Sequence, residues 1–261
     1  MNFHGTIVRQ KALTMLRDGA RNTDVARKLQ VPSGTISYWK HVDRAKRGEP
    51  SNAHQPACPR CDGELDQPAY AYLLGLYLGD GHIIQNRAMR SPSLSISCDE
   101  SWPGVMEACE RAMRSVFPHN SVCRVRRQGC REVKMYSKHL WCLFPQHGPG
   151  KKHERKIALE PWQQDIIDAY PWEFVRGLIH SDGCRNINWT TRIVGGERKR
   201  YEYPRYFFTN LSDDIRQLYT DTLDKLGVEW KHCTRGGRPY NISVARRASV
   251  ALMDAHVGPK H

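Results

Sequence analysis

The chain has 261 residues, with 40 lysines and arginines against 27 aspartates and glutamates, a formal net charge of +13 and a sequence pI near 9.5. This excess of positive charge indicates a polyanionic partner, and the length suffices for one large domain and one small domain. No apolar stretch approaches the roughly 20 residues of a membrane span, and Met1-Asn2-Phe3-His4 does not resemble a signal peptide. Nine cysteines without a disulfide framework favour a reducing compartment, so we expect a soluble cytoplasmic protein.

The first fifty residues have the pattern of three short helices. Asp18-Gly19 ends the first of them, Asn22-Thr23 can cap the second, and Ser33 can cap the third. The apolar spacing places these helices over residues 7–17, 24–29 and about 33–41.

The third helix has an apolar side and a polar side. Ile36 and Trp39 are spaced for a core, which leaves the polar side directed outward. Residues 7–41 resemble the helix-turn-helix of resolvase-like and homeodomain-like DNA-binding proteins, which implies that the outward side chains meet base edges while basic neighbours hold phosphates. A three-helix module that touches no DNA is the alternative. The candidate base contacts are Ser33, Thr35, Ser37, Tyr38 and Lys40, and the candidate phosphate contacts are Arg21, Arg27 and Lys28.

Residues 46–69 are polar and rich in turn-forming residues, which predicts a linker. Within this linker, Cys58 and Cys61 have the CxxC spacing of a zinc knuckle, which needs two further ligands. An idle pair of thiols is the alternative to a structural Zn²⁺. The candidates for the missing ligands are His54, Cys98, Cys123 and Cys130.

One ten-residue pattern occurs twice, at 72–81 and 174–183. Each copy is an apolar run with a glycine in its middle, Gly75 or Gly177, and each closes on Asp-Gly. Small residues at such positions let two helices approach closely. The helix ends would then bring Asp80 and Asp182 together, where two like charges require a cation. The pattern therefore predicts a site for Mg²⁺ or Mn²⁺.

The same order of elements follows each copy of the pattern, so the expected fold class is α+β with a pseudo-twofold αββαββα repeat, beside a small all-α helix-turn-helix domain. In the first copy we expect strands over 82–87 and 93–98, a helix over 102–117, a hairpin of 122–127 with 132–137, and a short helix over 138–144. In the second copy we expect strands over 184–190 and 205–210 around a basic loop at 195–200, a helix over about 212–226, a hairpin of 228–233 with 240–245, and a helix over 248–257.

The two motifs resemble those of the LAGLIDADG homing endonucleases in their single-chain form. The earlier acid of the family signature is replaced, by Leu78 and by His180. The resemblance implies a saddle of two curved sheets along double-stranded DNA, a monomer, and Asp80 and Asp182 as the catalytic acids that bind metal. The matching residues are Gly75, Gly79, Asp80 and Gly81 in the first motif, and Gly177, Ser181, Asp182 and Gly183 in the second.

The resemblance also implies a lysine near the cleavage centre, from the segment that follows the first repeat. Lys151 and Lys152 lie in that segment, although a solvated basic loop explains them equally well. Basic strand residues should line the concave face and contact phosphates and guanine edges. The candidates on the strands are Arg124, Arg126, Lys134, Arg205, Lys231 and Arg235.

These expectations divide the chain into a helix-turn-helix (1–45), a linker (46–69), a first half (70–150), a connecting segment (151–171) and a second half (172–261). The expected function is that of a divalent-metal-dependent DNA endonuclease that makes double-strand cuts. The alternative is a transcriptional regulator that uses the same fold and the helix-turn-helix only to bind DNA.

Overall fold

The computed structural model describes residues 5–48, 57–85, 91–235 and 237–261, apart from the side chains of Arg235, Arg238 and Pro239. The chain divides into two compact units, Met1–Pro56 and Ala57–His261. Within the described ranges, no helix is long and apolar enough to cross a membrane. His54, one of the candidate zinc ligands, lies outside the described residues.

The first unit consists of three helices around a small apolar core. The third helix is longer than predicted, and its last turns are stabilised by the buried Asp43, which pairs with Arg17 at 2.5 Å and with Arg47 at 3.1 Å. Ser33 is the first residue of that helix rather than its cap, and the N-cap Pro32 makes no side-chain hydrogen bond. The helices are α1 (Thr6–Arg17), α2 (Asn22–Leu29) and α3 (Ser33–Lys46), and the core residues are Ala12, Leu16, Val25, Val31, Ile36 and Trp39.

The second unit builds one arrangement twice. The first copy contains α4 (Gln67–Asp80), β1 (Gly81–Ile84), β2 (Ser93–Asp99), α5 (Pro103–Val116), β3 (Val122–Arg127), β4 (Cys130–Tyr136) and α6 (Leu140–Leu143). The second copy contains α8 (Pro171–Asp182), β5 (Gly183–Val194), β6 (Glu197–Thr209), α9 (Asp213–Lys225), β7 (Lys231–Arg235), β8 (Arg238–Val244) and α10 (Arg247–His256). Each copy has an antiparallel four-stranded sheet, in the corresponding orders β1-β2-β4-β3 and β5-β6-β8-β7. The predicted α+β repeat is confirmed.

The basic loop predicted in the second copy is instead the end of a long β-hairpin. Strands β5 and β6 pair continuously from Gly183 opposite Phe208 to Val194 opposite Glu197. Gly195 and Gly196 form the turn with φ of +63° and +83°, and positive φ at both residues is typical of a type I′ hairpin turn. The prediction was wrong because residues 191–200 are exposed on both faces and lack the alternation that marks a strand.

The connecting segment contains a helix that the pattern did not predict, α7 (Pro161–Ala169), preceded by one turn of 3₁₀ helix at Lys152–Glu154. Gln163 of α7 is fully buried and donates a hydrogen bond to the hydroxyl of Tyr70 at 2.6 Å. The same tyrosine hydroxyl donates to the carbonyl oxygen of Leu143 at 2.5 Å. These bonds fasten the connecting segment to the start of α4 and to α6.

Helices α4 and α8 form the centre of the second unit. Helix α4 is buried continuously from Tyr70 to Leu78, and a helix that is apolar on all sides belongs in a core. A Cβ on Gly75 would lie 2.6 Å from the carbonyl oxygen of Phe174. The two helix backbones are therefore in direct contact, at a separation that excludes any larger residue.

Candidate functional site

The two central helices end on their acidic residues at the same place. Asp80 is the last residue of α4, and Asp182 is the last residue of α8. Gly79 lies against the other helix, since a Cβ there would be 2.4 Å from the Cβ of Ser181 and 3.2 Å from the Cγ of Asp182. The repeat thus brings two carboxyl groups together, one from each copy.

The pKa of both carboxyl groups is raised. Desolvation and, second, the negative charge of Asp80 raise the pKa of Asp182 to about 6. A hydrogen bond of 2.5 Å from Asn210 Nδ2 to Asp182 Oδ2 acts in the opposite direction. Desolvation also raises the pKa of Asp80, while the charges of Lys260 and Lys152 lower it. Like charges placed in this way favour a cation beside them.

Lys152 binds the end of the first central helix. Its Nζ donates hydrogen bonds to the carbonyl oxygens of Tyr77 and Gly79, both at 2.6 Å. Burial lowers the pKa of Lys152 to about 8, although the charges of Asp182 and Asp80 oppose this shift. The lysine is therefore held next to the two acids.

The neighbouring Lys151 has a different partner. Its exposed Nζ lies 3.4 Å from Glu154 Oε1. Of the two lysines expected from the connecting segment, the structure brings Lys152 to the acids and leaves Lys151 in a surface ion pair.

Lys260 is a second lysine next to the two acids, and the sequence analysis did not identify it. Its Nζ donates to the carbonyl oxygen of Ser181 at 2.9 Å, as Lys152 does on the other helix. The chain end is held where the N–H of Gly104 donates to the carbonyl oxygen of His261 at 2.8 Å. The repeat contained a signal for this residue, because a lysine follows each of the two copies.

Asn210 and His180 also acquire their roles from the fold. Asn210 lies just after β6, and its Oδ1 accepts a hydrogen bond from the N–H of Ser212 at 2.8 Å, which orients its Nδ2 toward Asp182. His180 is buried, and its Nδ1 lies 2.8 Å from the hydroxyl of Tyr72. Burial lowers the pKa of His180 to about 3, so the ring packs uncharged against Tyr72 of the other central helix. No sequence pattern distinguished Asn210 from other polar residues at strand ends.

A cleft of about 450 Å³ adjoins Asp182 and is lined by Asp182, Lys152, His82, His147 and Arg155, among others.

The donor atoms at the ends of α4 and α8 suit a hard divalent cation. The carboxylates of Asp80 and Asp182 are oxygen ligands of the kind that Mg²⁺ and Ca²⁺ take in proteins, and the carbonyl oxygens of Gly79 and Ser181 belong to the residues just before them. Both carbonyl oxygens accept a lysine ammonium group, so this place already binds positive charge. The residues therefore fit a divalent metal held by the two acids.

Three of the six basic strand residues lie on the faces of the sheets opposite the core. Lys134 follows the buried Val133 and Arg205 precedes the buried Tyr206, so both point away from the core. Lys231 is exposed on the second sheet. These positions provide positive charge on the open face of each sheet.

Arg124 and Arg126 lie on the opposite face of β3 from the one expected. Side chains two residues apart on a strand point to the same side, so Arg124 and Arg126 share the side of Val122. Val122 packs against the core. Arg124 is also paired with Glu110 of α5, with its Nε 2.6 Å from Oε1. The open face therefore does not include these two arginines. The side chain of Arg235 lies outside the described residues.

In the first unit, the polar side of α3 is accessible. The ring of Tyr38 is prominent, since the residue is 64% exposed. Ser37 accepts a hydrogen bond from Asn22 at 2.9 Å, which links α3 to α2. The other candidate contacts are Ser33, Arg21, Arg27 and Lys28, which are exposed, and Thr35 and Lys40, which are half-buried.

A separate cluster of three thiols lies in the second unit. The sulfur atoms of Cys58, Cys61 and Cys142 are within 4.8 Å of one another. Cys142 was not among the expected ligands, and no spacing pointed to it because it lies 81 residues from Cys61. The cluster does not include the expected ligands Cys98, Cys123 and Cys130.

No protein-family model and no curated protein matches the chain. Among solved structures, the chain is similar to a variant of I-DmoI in complex with its target DNA in the presence of Mg, at a TM-score of 0.50 and 14% identity, over 75% of this chain and 98% of that chain. It is also similar to the homing endonuclease I-WcaI bound to its DNA recognition sequence, at a TM-score of 0.47 and 13% identity, over 74% of this chain and 81% of that chain. The first of these likenesses agrees with the two copies of the αββαββα arrangement. The chain therefore has the fold of the LAGLIDADG homing endonucleases.

Proposed function

We propose that the protein is a site-specific DNA endonuclease that uses a divalent metal, Mg²⁺ or Mn²⁺, to cut both strands of a duplex. The observation that carries this proposal is the meeting of Asp80 and Asp182 at the ends of two close-packed helices. Two adjacent carboxylates repel each other and also repel phosphate. A protein that only binds DNA would therefore be more stable, and would bind more tightly, without one of them. Their joint presence supports a function that needs both.

A metal ion held by the two carboxylates would activate a water molecule for attack on a phosphate and stabilise the charge that develops there. The residues around the acids support this chemistry by position. Asn210 donates a hydrogen bond to one oxygen of Asp182, which leaves the other oxygen available to bind the metal. Lys152 and Lys260 bring positive charge to the two helix ends, where it favours the approach of a phosphate.

Duplex DNA is the substrate that the surface charge favours. The chain carries a net charge of +13, and Lys134, Arg205 and Lys231 provide cations on the open faces of the sheets. Phosphate contacts of this kind supply affinity that does not depend on sequence. The likeness in fold to an I-DmoI variant in complex with its target DNA and Mg supports the same choice of substrate.

The first unit supports selection of a site. We propose that residues 1–45 act as a helix-turn-helix in which α3 enters the major groove, because the exposed Tyr38 lies on its outward side. The neighbouring Arg21, Arg27 and Lys28 would hold phosphates.

The experiment that tests the function is a selection from random DNA duplexes in the presence of Mg²⁺, with the bound and the cut fractions both sequenced. We expect one enriched sequence family that is cut on both strands, and no cutting when a chelator removes the metal. A selected site that is bound tightly and never nicked with Mg²⁺ or Mn²⁺ would overturn the nuclease proposal. The protein would then be a regulator that uses its fold to bind DNA.

A further inference from the structure

The thiol cluster lies on a turn at the beginning of the second unit. The N–H of Asp62 donates to the carbonyl oxygen of Cys58 at 2.9 Å, and the N–H of Cys58 donates to Asp62 Oδ2 at 3.0 Å. These two bonds close the turn and bring Cys58 and Cys61 to the same side. The third thiol, Cys142, comes from α6, which follows the four strands of the first sheet in the sequence.

We propose that Cys58, Cys61 and Cys142 bind one zinc ion. Zn–S bonds of about 2.3 Å in a tetrahedron place the sulfur atoms about 3.8 Å apart, and the three sulfurs here already lie within 4.8 Å of one another. Cys58 is 4% exposed and Cys61 is exposed, so the ion would lie at the protein surface. Among the described residues, no further His, Cys, Asp or Glu joins the group.

A positive charge lies beside one thiol of the cluster, Cys142. Arg60, which lies between the first two cysteines, places its Nη1 3.6 Å from the Sγ of Cys142. Its guanidinium also lies over the ring of Trp162, with the Cζ 4.4 Å from the ring centroid. A cation next to a thiol stabilises the thiolate.

The position of the cluster indicates a structural role. Trp162 packs against Tyr70 at the beginning of α4, with 5.3 Å between the ring centroids. Helix α4 has 14 residues, which span roughly 21 Å at 1.5 Å per residue, so the zinc site and Asp80 lie near opposite ends of the helix. The ion would fasten the turn that precedes α4 to α6, and it is independent of the proposed cleavage site.

A disulfide between two of these cysteines is the alternative to a zinc site. The sulfurs of Cys61 and Cys142 are 3.2 Å apart, so an oxidant that removed two electrons and two protons could join them. That bond would leave Cys58 as a free thiol, whereas zinc uses all three sulfurs. The two chemistries therefore predict different effects of replacing Cys58.

The test is metal analysis of the full chain purified under reducing conditions without a chelator. We expect about one zinc per chain in the wild type and less than about a tenth of that in Cys58→Ser, Cys61→Ser and Cys142→Ser. Cys123→Ser is the matched control, because Cys123 is exposed in the same half and lies outside the cluster, and it should keep its zinc. The exposed Cys61 can be replaced without disturbing the core, so its variant should lose zinc while its circular dichroism remains that of the wild type.

Cobalt provides a second measurement on the same variants. Co²⁺ added to chelator-treated wild-type protein should give the intense absorption of cobalt–thiolate bonds, and this absorption should be absent in Cys142→Ser. Full zinc content in Cys142→Ser, or reduced wild-type protein that neither retains zinc nor takes up cobalt, would overturn the proposal. So would a purified wild type that lacks zinc and yields a proteolytic fragment in which Cys61 and Cys142 are joined, because that fragment identifies the disulfide.

Discussion

Gly75 and Gly177 face each other where α4 crosses α8. A Cβ on Gly75 would lie 2.9 Å from the Cα of Gly177, and a Cβ on Gly177 would lie 3.0 Å from the Cα of Gly75. This mutual contact sets the separation of the helices, and the separation in turn places Asp80 beside Asp182.

The first prediction concerns this crossing. In Gly177→Ala, the new methyl group would lie 2.2 Å from the carbonyl oxygen of Tyr72, a backbone atom that cannot move aside by a rotamer change. Overpacking of a core typically costs about 1–3 kcal/mol, so we expect at least that loss in the free energy of unfolding. Thermal and denaturant unfolding measure it. Gly34→Ala in α3 is the matched control, because its methyl group meets open space, and an unchanged Gly177→Ala variant would contradict the crossing.

The second prediction concerns the acids. Asp80→Asn and Asp182→Asn should each abolish cleavage of the selected duplex, while binding without metal stays equal or becomes tighter, because a negative charge near phosphate has been removed. Cleavage of end-labelled duplex and a binding titration measure the two effects separately. Asp221→Asn, at an exposed acid of α9, should cut normally. Retained cutting by either variant of the acid pair would remove that acid from the site.

The third prediction concerns the two lysines. Lys152→Met and Lys260→Met should each reduce the cleavage rate by about tenfold or more, because each removes an ammonium group from a helix end next to the acids. Single-turnover cleavage at saturating protein measures the rate apart from affinity. Lys138→Met, an exposed lysine of the same unit, should cut at the wild-type rate. If Lys260→Met also cuts at that rate, the chain end has no part in the reaction.

The fourth prediction concerns the first unit. Residues 1–50 contain ten lysines and arginines against four acids, so their removal should make the dependence of DNA affinity on salt concentration shallower, by about 0.9 in the logarithmic slope for each phosphate that the shortened chain no longer binds. Binding titrations of the full chain and of the shortened chain at several salt concentrations measure the slopes. Tyr38→Ala should change the preferred sequence with little change in slope. Equal slopes for the full and shortened chains would show that the first unit does not contact phosphate.

The fifth prediction concerns pH. The hydrogen bond from Arg17, together with the charges of Arg17 and Arg47, lowers the pKa of Asp43 below its usual value. A lowered pKa in the folded state means that the stabilisation is complete above the usual carboxyl pKa of about 4 and is lost as the pH falls through the folded value. Protection of α1 and α3 amides from hydrogen exchange should therefore decrease in acid. Asp43→Asn should weaken this dependence, whereas Asp18→Asn, at an exposed acid after α1, should retain it.

Much of the fold could be predicted from the sequence because its signals are local. The repeat at 72–81 and 174–183, the apolar spacing of α5 and α9 and the glycine turns each depend on a few neighbouring residues. The outer end of the hairpin β5–β6 was predicted as a loop because that exposed end has no apolar alternation. The face of Arg124 was open to prediction, since it lies two residues from the apolar Val122 on the same strand and therefore points to the same, core side.

The sequence by itself determined that two acids close two equivalent helices, since Asp80 and Asp182 occupy the same position in each copy of the motif. The tertiary structure decided which lysines and which other polar side chains join them. Lys260 and Asn210 reach the acids from later segments of the chain, and Cys142 reaches Cys61 across 81 residues. The physical reason is that such meetings depend on the packing of helices and sheets between distant segments, and residue spacing along the chain does not encode a distance in space.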